Sequence, residues 1–448
     1  MVNAGSTEPW LTSQVDGRTG EKVASAWSWN ELGTTLHLTL RRDVFFHDGT
    51  GLTPESAVAA FKASIAVPRS PSSFSSVRSV TASGDGLDIT LSEPNSFFLP
   101  DLSLTAVTLP GKQDIATGPF KVNRSESQQV ALQAFEQYYR GRPTVTAIDI
   151  INYPTQRNAW AALMRGEVDV LYEVGRDIAD FVEAGSTIKT YTFPRPYYNS
   201  LVFNQRHPVL KRADVRRAIN EALDRTTLIR DGLNGRGRPA DGPLVPEHWA
   251  YSPPPEPFEF NPATARLRLD NAGLRARPGS RGRMPSRLSF TCLVFADDPR
   301  FERLAILVAK QLADVGVDMR LEPLPLKAFV GRIGAGDFDA FLFEMAGRSL
   351  SWVYEFWHSH DHGMINPGYR SADAVLDRIR GARTEDEIRR GVAELQRILH
   401  DDPPAAFLSW QTTTRAVSTK FDVAYEADRD VFGNLWKWRP AAAQRAER

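Results

Sequence analysis

The chain has one cysteine in 448 residues, Cys292. No disulfide can form within it, and neither a CxxC redox pair nor a multi-cysteine zinc site is available. Cys292 lies in the apolar run Leu288 to Phe295, so it reads as a small core residue rather than a reactive thiol. Net charge is missing too: 54 Lys and Arg offset 54 Asp and Glu, so no overall field favours nucleic acid or an anionic membrane as partner. No apolar run is long enough to span a membrane. The N-terminus, MVNAGSTEPWLTS, has no basic n-region, no apolar h-region and no lipobox cysteine. As written, this predicts a cytoplasmic protein, or a periplasmic or extracellular one whose export signal has been removed. The motifs of catalysis are missing as well. There is no G-x-S-x-G elbow, H-E-x-x-H helix, P-loop or dinucleotide fingerprint.

What is present is a long α/β pattern. The length exceeds the usual size of a single core, so more than one lobe is expected. The stretch Trp27 to Phe61 organises the front. Leu36, Leu38 and Leu40 alternate with Thr35, His37 and Thr39, as a half-buried strand requires. His47-Asp48-Gly49 predicts a turn, and Thr53-Pro54 an N-capped helix start. Val58, Phe61 and Ile65 would form that helix's buried stripe. Further along, Ala159 to Met164 predicts a helix closed by Gly166, followed by a strand at Val168 to Leu171. Asp214 to Ile229 and Arg303 to Val315 predict helices. Leu288 to Phe295, Val317 to Leu321, Phe338 to Glu344 and Ala406 to Trp410 predict strands. Strand, helix and strand in alternation argue for α/β lobes.

Several of these segments resemble one family. They are the Trp, Leu-Arg strand and aromatic-His-Asp-Gly turn near the start; Thr117-Gly118-Pro119-Phe120; Ala161-Ala162-Leu163-Met164-Arg165-Gly166-Glu167-Val168-Asp169; and Val215-Arg216-Arg217-Ala218-Ile219 with Leu223-Asp224-Arg225. In this order they are similar to the family 5 extracellular solute-binding proteins, the ligand-capturing components of ABC importers for peptides, nickel and oligosaccharides. The resemblance implies a class II periplasmic-binding-protein-like α/β fold, with two α/β lobes around a ligand cleft and a small inserted lobe. The expected division is residues 1–45, 115–196 and 405–448 in the first lobe, 46–114 in the inserted lobe and 197–404 in the second lobe. It also implies a monomer that captures a small-molecule ligand and hands it to an ABC permease.

The resemblance places a cleft wall after the strand ending at Glu344. Peptide-binding relatives carry there an Asp that pairs with the peptide's α-amine. This chain reads Met345-Ala346-Gly347-Arg348-Ser349-Leu350-Ser351-Trp352, with no acid at that place. A guanidinium would oppose a free ammonium, so the expected contact is between Arg348 and an anionic ligand group. Ser349 and Trp352 lie beside it, Trp352 as either a stacking surface or packing between loop and lobe. Glu173, Tyr197, Asn199, Trp410 and Thr117 sit at strand ends or crossovers, where open α/β sheets bind ligands. His358, His360 and His362 form an H-x-H-x-H run that reads either as a solvated polar loop or as ligands of a transition metal. No other cofactor is expected. An alternative function remains open: a cytoplasmic enzyme of specialised metabolism that reuses the closed cleft for catalysis.

Overall fold

The computed structural model describes residues 5–66, 72–174, 187–276, 286–360 and 364–442. The chain forms two compact units, one of Met1–Pro194 with Thr412–Arg448, the other of Arg195–Gln411.

The first unit has two separate main cores. In one, strands Ala24–Trp29, Thr35–Leu40, Gly86–Leu91 and Val77–Ser83 lie side by side, all antiparallel. Leu36, Leu38 and Leu40 point into this core as their alternation predicts. The helix Pro54–Ile65 covers the sheet. It starts where the sequence places it: the Thr53 side chain accepts from the Ser56 N–H at 3.3 Å, and Ser56 Oγ accepts from the Thr53 N–H at 2.9 Å. Its buried stripe differs from the expected one. Ala57, Ala60, Phe61 and Ser64 are buried, while Val58 and Ile65 are only partly so. Trp10 sets the rotation: its ring lies 5.3 Å from that of Phe61, and its Nε1 donates to Ser64 Oγ at 3.2 Å. The small Ala57 and Ala60 let the helix approach closely. The expected boundary at residue 46 also shifts. Thr35–Leu40 is the partner of Gly86–Leu91, so strands on either side of that boundary share one sheet and one core.

The other core lies under strands Phe120–Ser125, Gln129–Ala134 and Ala147–Ile151, packed with Val417, Phe432 and Trp438 from the end of the chain. The signature turn meets this region. His47 Nε2 lies 3.0 Å from the Gly118 carbonyl, and the Ala116 carbonyl accepts from the His47 N–H. Gly118 is required there, because a Cβ would stand 2.4 Å from the Ser6 carbonyl carbon. The helix Gln156–Met164 closes at Gly166, whose φ is +71°, and leads to the strand Val170–Leu171.

In the second unit, Leu288–Phe295 runs parallel to both Val317–Leu324 and Ala340–Ala346. The helix Pro299–Asp314 packs on this sheet, with Asp298 as N-cap and Pro299 in the first turn. Cys292 is fully buried among Phe290, Val294 and Leu342, and desolvation pushes its thiol well up. The single helix expected over 214–229 is broken. Ala213–Glu221 ends before Asp224, whose carboxylate caps a new turn by accepting from the Thr227 N–H at 3.1 Å. The buried Arg225 of that turn donates to the Phe407 carbonyl and to Asn220 Oδ1, both at 2.7 Å.

Two long strands, Ile188–Phe203 and Ala405–Ser418, carry the chain between the units. The first contains Pro194 and Pro196, which mark the change of unit. Proline cannot donate to a ladder, so the sequence there reads as a break rather than a continuous strand.

Candidate functional site

A row of polar side chains in the second unit is built on three strands. Tyr197–Phe203 pairs antiparallel with Ala340–Ala346, setting Asn199 opposite Glu344 and Tyr197 opposite Ala346. The pairing continues one step further, where the Gly347 N–H donates to the Pro196 carbonyl at 2.9 Å. Arg348 comes next, in a bend beyond the last paired residue, Ala346, and Arg195 precedes Pro196 on the neighbouring strand. Residues paired across an antiparallel ladder share a face, so Asn199 and Glu344 lie on one side of the sheet.

That side carries a connected polar row. Asn199 is buried, and its Nδ2 donates to Ser409 Oγ at 3.0 Å. Gln411 Nε2 donates to Glu344 Oε2 at 2.6 Å and to Asn199 Oδ1 at 3.4 Å. Arg195 Nη1 donates to Gln411 Oε1 at 3.3 Å, and its guanidinium lies 4.6 Å from the centre of the Tyr197 ring. Arg195, Tyr197 and Glu344 are all half-buried. The opposite face is an aromatic core. Tyr198 is fully buried, accepts from Trp357 Nε1 at 3.1 Å and packs at 5.1 Å against Trp410. Burial pushes the Tyr198 phenol well above its ordinary range. Trp410, expected as a cleft wall, is 1 % exposed and belongs to this core. Strand alternation separates it from Gln411, the next residue.

Beyond Ala346 the chain passes a steric gate. A Cβ on Gly347 would stand 2.4 Å from the Pro243 carbonyl oxygen and 2.5 Å from Trp410 Cη2. Arg348 follows and is exposed. Ser349 then caps a helix, Leu350–Trp357, by accepting from the Ser351 N–H at 3.2 Å. The segment expected as loop through Trp352 is thus helical from Leu350. Trp352 is half-buried, its ring stacked with Phe356 at 5.7 Å.

The histidines follow this helix. The Tyr354 ring stacks on His358 at 4.4 Å and on His360 at 5.3 Å. His358 Nε2 lies 3.3 Å from Asp377, and His360 Nε2 lies 3.4 Å from Glu355. Burial, with Asp377 beside it, pushes the Tyr354 phenol up to about 12. Among the described residues no group of three or more His, Cys, Asp or Glu is arranged to hold a metal ion. His362 lies outside the described residues.

Thr117 and Glu173 belong to the first unit. Thr117 is 1 % exposed, and its hydroxyl has no hydrogen-bond partner among the described residues. Glu173 is half-buried, with its carbonyl accepting from Gln156 Nε2 at 3.1 Å. Beside it, Tyr172 is exposed above the Arg415 guanidinium, 3.9 Å from its ring centre.

The structure therefore brings Tyr197 and Asn199 together, puts Arg348 at the end of the same strand pair, and sends Trp410 to the other face. Glu344 and Gln411 were missed as site residues. Glu344 had a legible signal, a lone charge within the apolar strand Ala340-Phe341-Leu342-Phe343-Glu344-Met345-Ala346.

The fold is α/β in two units, with a polar row on one sheet of the second. The sequence profile of the bacterial extracellular solute-binding proteins, family 5, matches residues 20–363. The chain belongs to this family, and it is a solute-binding protein of the ABC-importer class. It is 24% identical to the oligopeptide-binding protein AppA of Bacillus subtilis, over 95% of this chain and 85% of that protein. Among solved structures, NikA from Brucella suis in complex with Fe(III)-EDTA superposes with a TM-score of 0.87 at 20% identity, covering 98% of this chain and 95% of that one. NikZ from Campylobacter jejuni in complex with Ni(L-His) superposes with a TM-score of 0.82 at 19% identity, covering 97% and 94%. These likenesses establish the class II periplasmic-binding-protein-like fold. Members of the family are normally periplasmic or extracellular. Among the described residues no helix is long and apolar enough to cross a membrane.

Proposed function

We propose that the imported solute is a small organic molecule held by an anionic group, and not a peptide held by a free α-amine. The supporting observation is that Arg195 lies just before, and Arg348 just after, the paired stretches Tyr197–Phe203 and Ala340–Ala346, two arginines at one end of one strand pair. Two cations at one place repel an ammonium and attract a carboxylate or phosphate, which a guanidinium can grip through two parallel hydrogen bonds. Tyr197, beneath the Arg195 guanidinium, fixes its plane. The partner that receives the solute is an ABC permease, and the binding protein acts as a monomer.

Calorimetric titration with caproate, adipate and unblocked dialanine tests this reading. The carboxylates are expected to bind, and Arg348→Ala to weaken them about tenfold, the scale of one charge-assisted hydrogen bond. Tighter binding of dialanine, with carboxylate affinity unchanged in Arg348→Ala, overturns it. Native mass spectrometry of the purified protein then identifies any solute carried from the cell.

A further inference from the structure

Around the aromatic loop Tyr138-Tyr139-Arg140-Gly141 of the first unit, three cations carry their own anions. Arg142 pairs with Glu136 at 2.7 Å, Arg41 with Glu21 at 2.8 Å and Lys22 with the buried Glu8 at 2.8 Å. Two others do not. Arg140 and Lys437 are both exposed, and among the described residues neither forms an ion pair. They share a different partner, the indole of Trp436. The Arg140 guanidinium lies 5.1 Å from its ring centre and the Lys437 ammonium 5.3 Å. The quadrupole of an aromatic ring attracts each cation but cancels none of its charge. Two like charges are therefore gathered at one ring.

The local fold makes this arrangement. The Gly141 N–H donates to the Tyr138 carbonyl at 2.9 Å, closing a turn in which Gly141 has φ +110°. A Cβ on Gly141 would lie 3.7 Å from Trp436 Cζ3, so the turn rests on the indole that Arg140 caps. Trp436 comes from the short 3-10 segment Val431–Lys437, which puts Lys437 next to it. The Trp436 ring meets Tyr138 edge to face at 5.7 Å, and Tyr138 meets Tyr139 at 5.0 Å. Tyr138 is anchored inward, donating to Glu8 at 2.5 Å. Tyr139 carries the Arg41 guanidinium 5.6 Å from its ring centre. Trp436 and Tyr139 are half-buried, so each ring reaches solvent beside a charged head.

Half-wet Trp and Tyr rings beside Lys and Arg make up the surface that a protein presents to lipid headgroups. The rings sit at headgroup level and the cations meet the phosphates. A free phosphate would use the cations without needing the rings. The chain has no net charge, so attraction to an anionic layer has to come from a local patch such as this one. We propose that the Arg140–Trp436–Lys437 cluster is a docking surface for anionic phospholipid headgroups. Trp436 holds both cations at one ring, and Arg140 and Lys437 contact the phosphates. A binding protein of this class delivers to a permease embedded in a membrane, and brief lipid contact concentrates it there. Two basic side chains suffice for such contact and are too few for permanent attachment. The inference is independent of the ligand reading above.

Co-sedimentation of the full chain with vesicles tests it. Vesicles of equal parts phosphatidylglycerol and phosphatidylcholine should carry down more protein than phosphatidylcholine alone. Salt at about 1 M, where the Debye length is about 3 Å, should release it. Arg140→Ser and Lys437→Ser should each lower the partition coefficient about fivefold, the scale of one basic side chain at an anionic surface. Lys437→Arg should keep it within about twofold. Lys327→Ser, at an exposed lysine of the second unit, should leave it unchanged. Equal sedimentation with both vesicle types overturns the inference, as does an equal loss in Lys327→Ser or no loss in the Arg140→Ser, Lys437→Ser double variant. Calorimetric binding of inorganic phosphate that depends on Lys437, without vesicle binding, assigns the cluster to a free anion and overturns the membrane reading.

Discussion

The same three strands of the second unit present two faces of opposite character. One carries Arg195, Tyr197, Asn199, Glu344 and Gln411 in a hydrogen-bonded row. Behind it Tyr198 packs on Phe407 and Trp410, and Trp357 of the helix Leu350–Trp357 packs on Phe407, with centroid distances of 5.1 to 5.6 Å. Neighbours in sequence, such as Trp410 and Gln411, have unrelated roles. Residue type did not decide which side is core and which is site, since tyrosine occurs on both. Between neighbours such as Tyr197 and Tyr198 strand alternation did; Phe407 and Gln411, four residues apart on one strand, show that packing from beyond the sheet decides as well.

The comparison implies that substitutions on the aromatic face act on stability and those on the polar face on ligand. Trp410→Ala is expected to have the largest effect, a loss of about 3–5 kcal/mol of stability for emptying a fully buried aromatic site. A shifted urea midpoint checks this. A variant as stable as the wild type but unable to bind ligand would move Trp410 to the site and erase the distinction. Gly347→Ala should cost about 1–3 kcal/mol, because the new methyl meets a carbonyl and an indole that are both held in place. This glycine stands between the two regions, so the variant should also displace Arg348 and weaken caproate binding. Arg348→Ala, on an exposed side chain, should leave the thermal midpoint within about 2 °C while lowering caproate affinity about tenfold. Calorimetry on one sample reads both quantities. Tyr198→Phe should be the mildest, removing only the hydroxyl that accepts from Trp357, at a cost of about 1 kcal/mol and with binding unchanged. Loss of binding in that variant would mean that the faces communicate.

Elements with strong local signals were legible before any tertiary contact was known. The Thr53-Pro54 start, the Gly166 stop and the strand around Cys292 follow from caps, turn residues and periodicity, which act over a few residues; the helix expected from Arg303 instead begins at Pro299, capped by Asp298. The Ile188–Phe203 strand was not legible, because Pro194 and Pro196 mimic a break. The interruption after Glu221 was hidden too, since Asp224 and Arg225 are ordinary helix residues until their carbonyl and amide partners are known. The stripe of the Pro54–Ile65 helix was offset for the same reason. Trp10, which sets it, is some 50 residues away, and Trp10 Nε1 reaches Ser64 across 54 positions.

By itself, then, the sequence determined the family and the α/β alternation, because composition and short-range patterns carry that information. The structure decided the pairing of Asn199 with Glu344, the removal of Trp410 to the core and the bonding of Glu344 to the neutral amide of Gln411. Each depends on which residue faces which across a ladder joining segments some 150 to 210 positions apart. No local pattern encodes that register. It is set when whole strands pack, and one step of slip would have put the tryptophan in the site and the glutamine in the core.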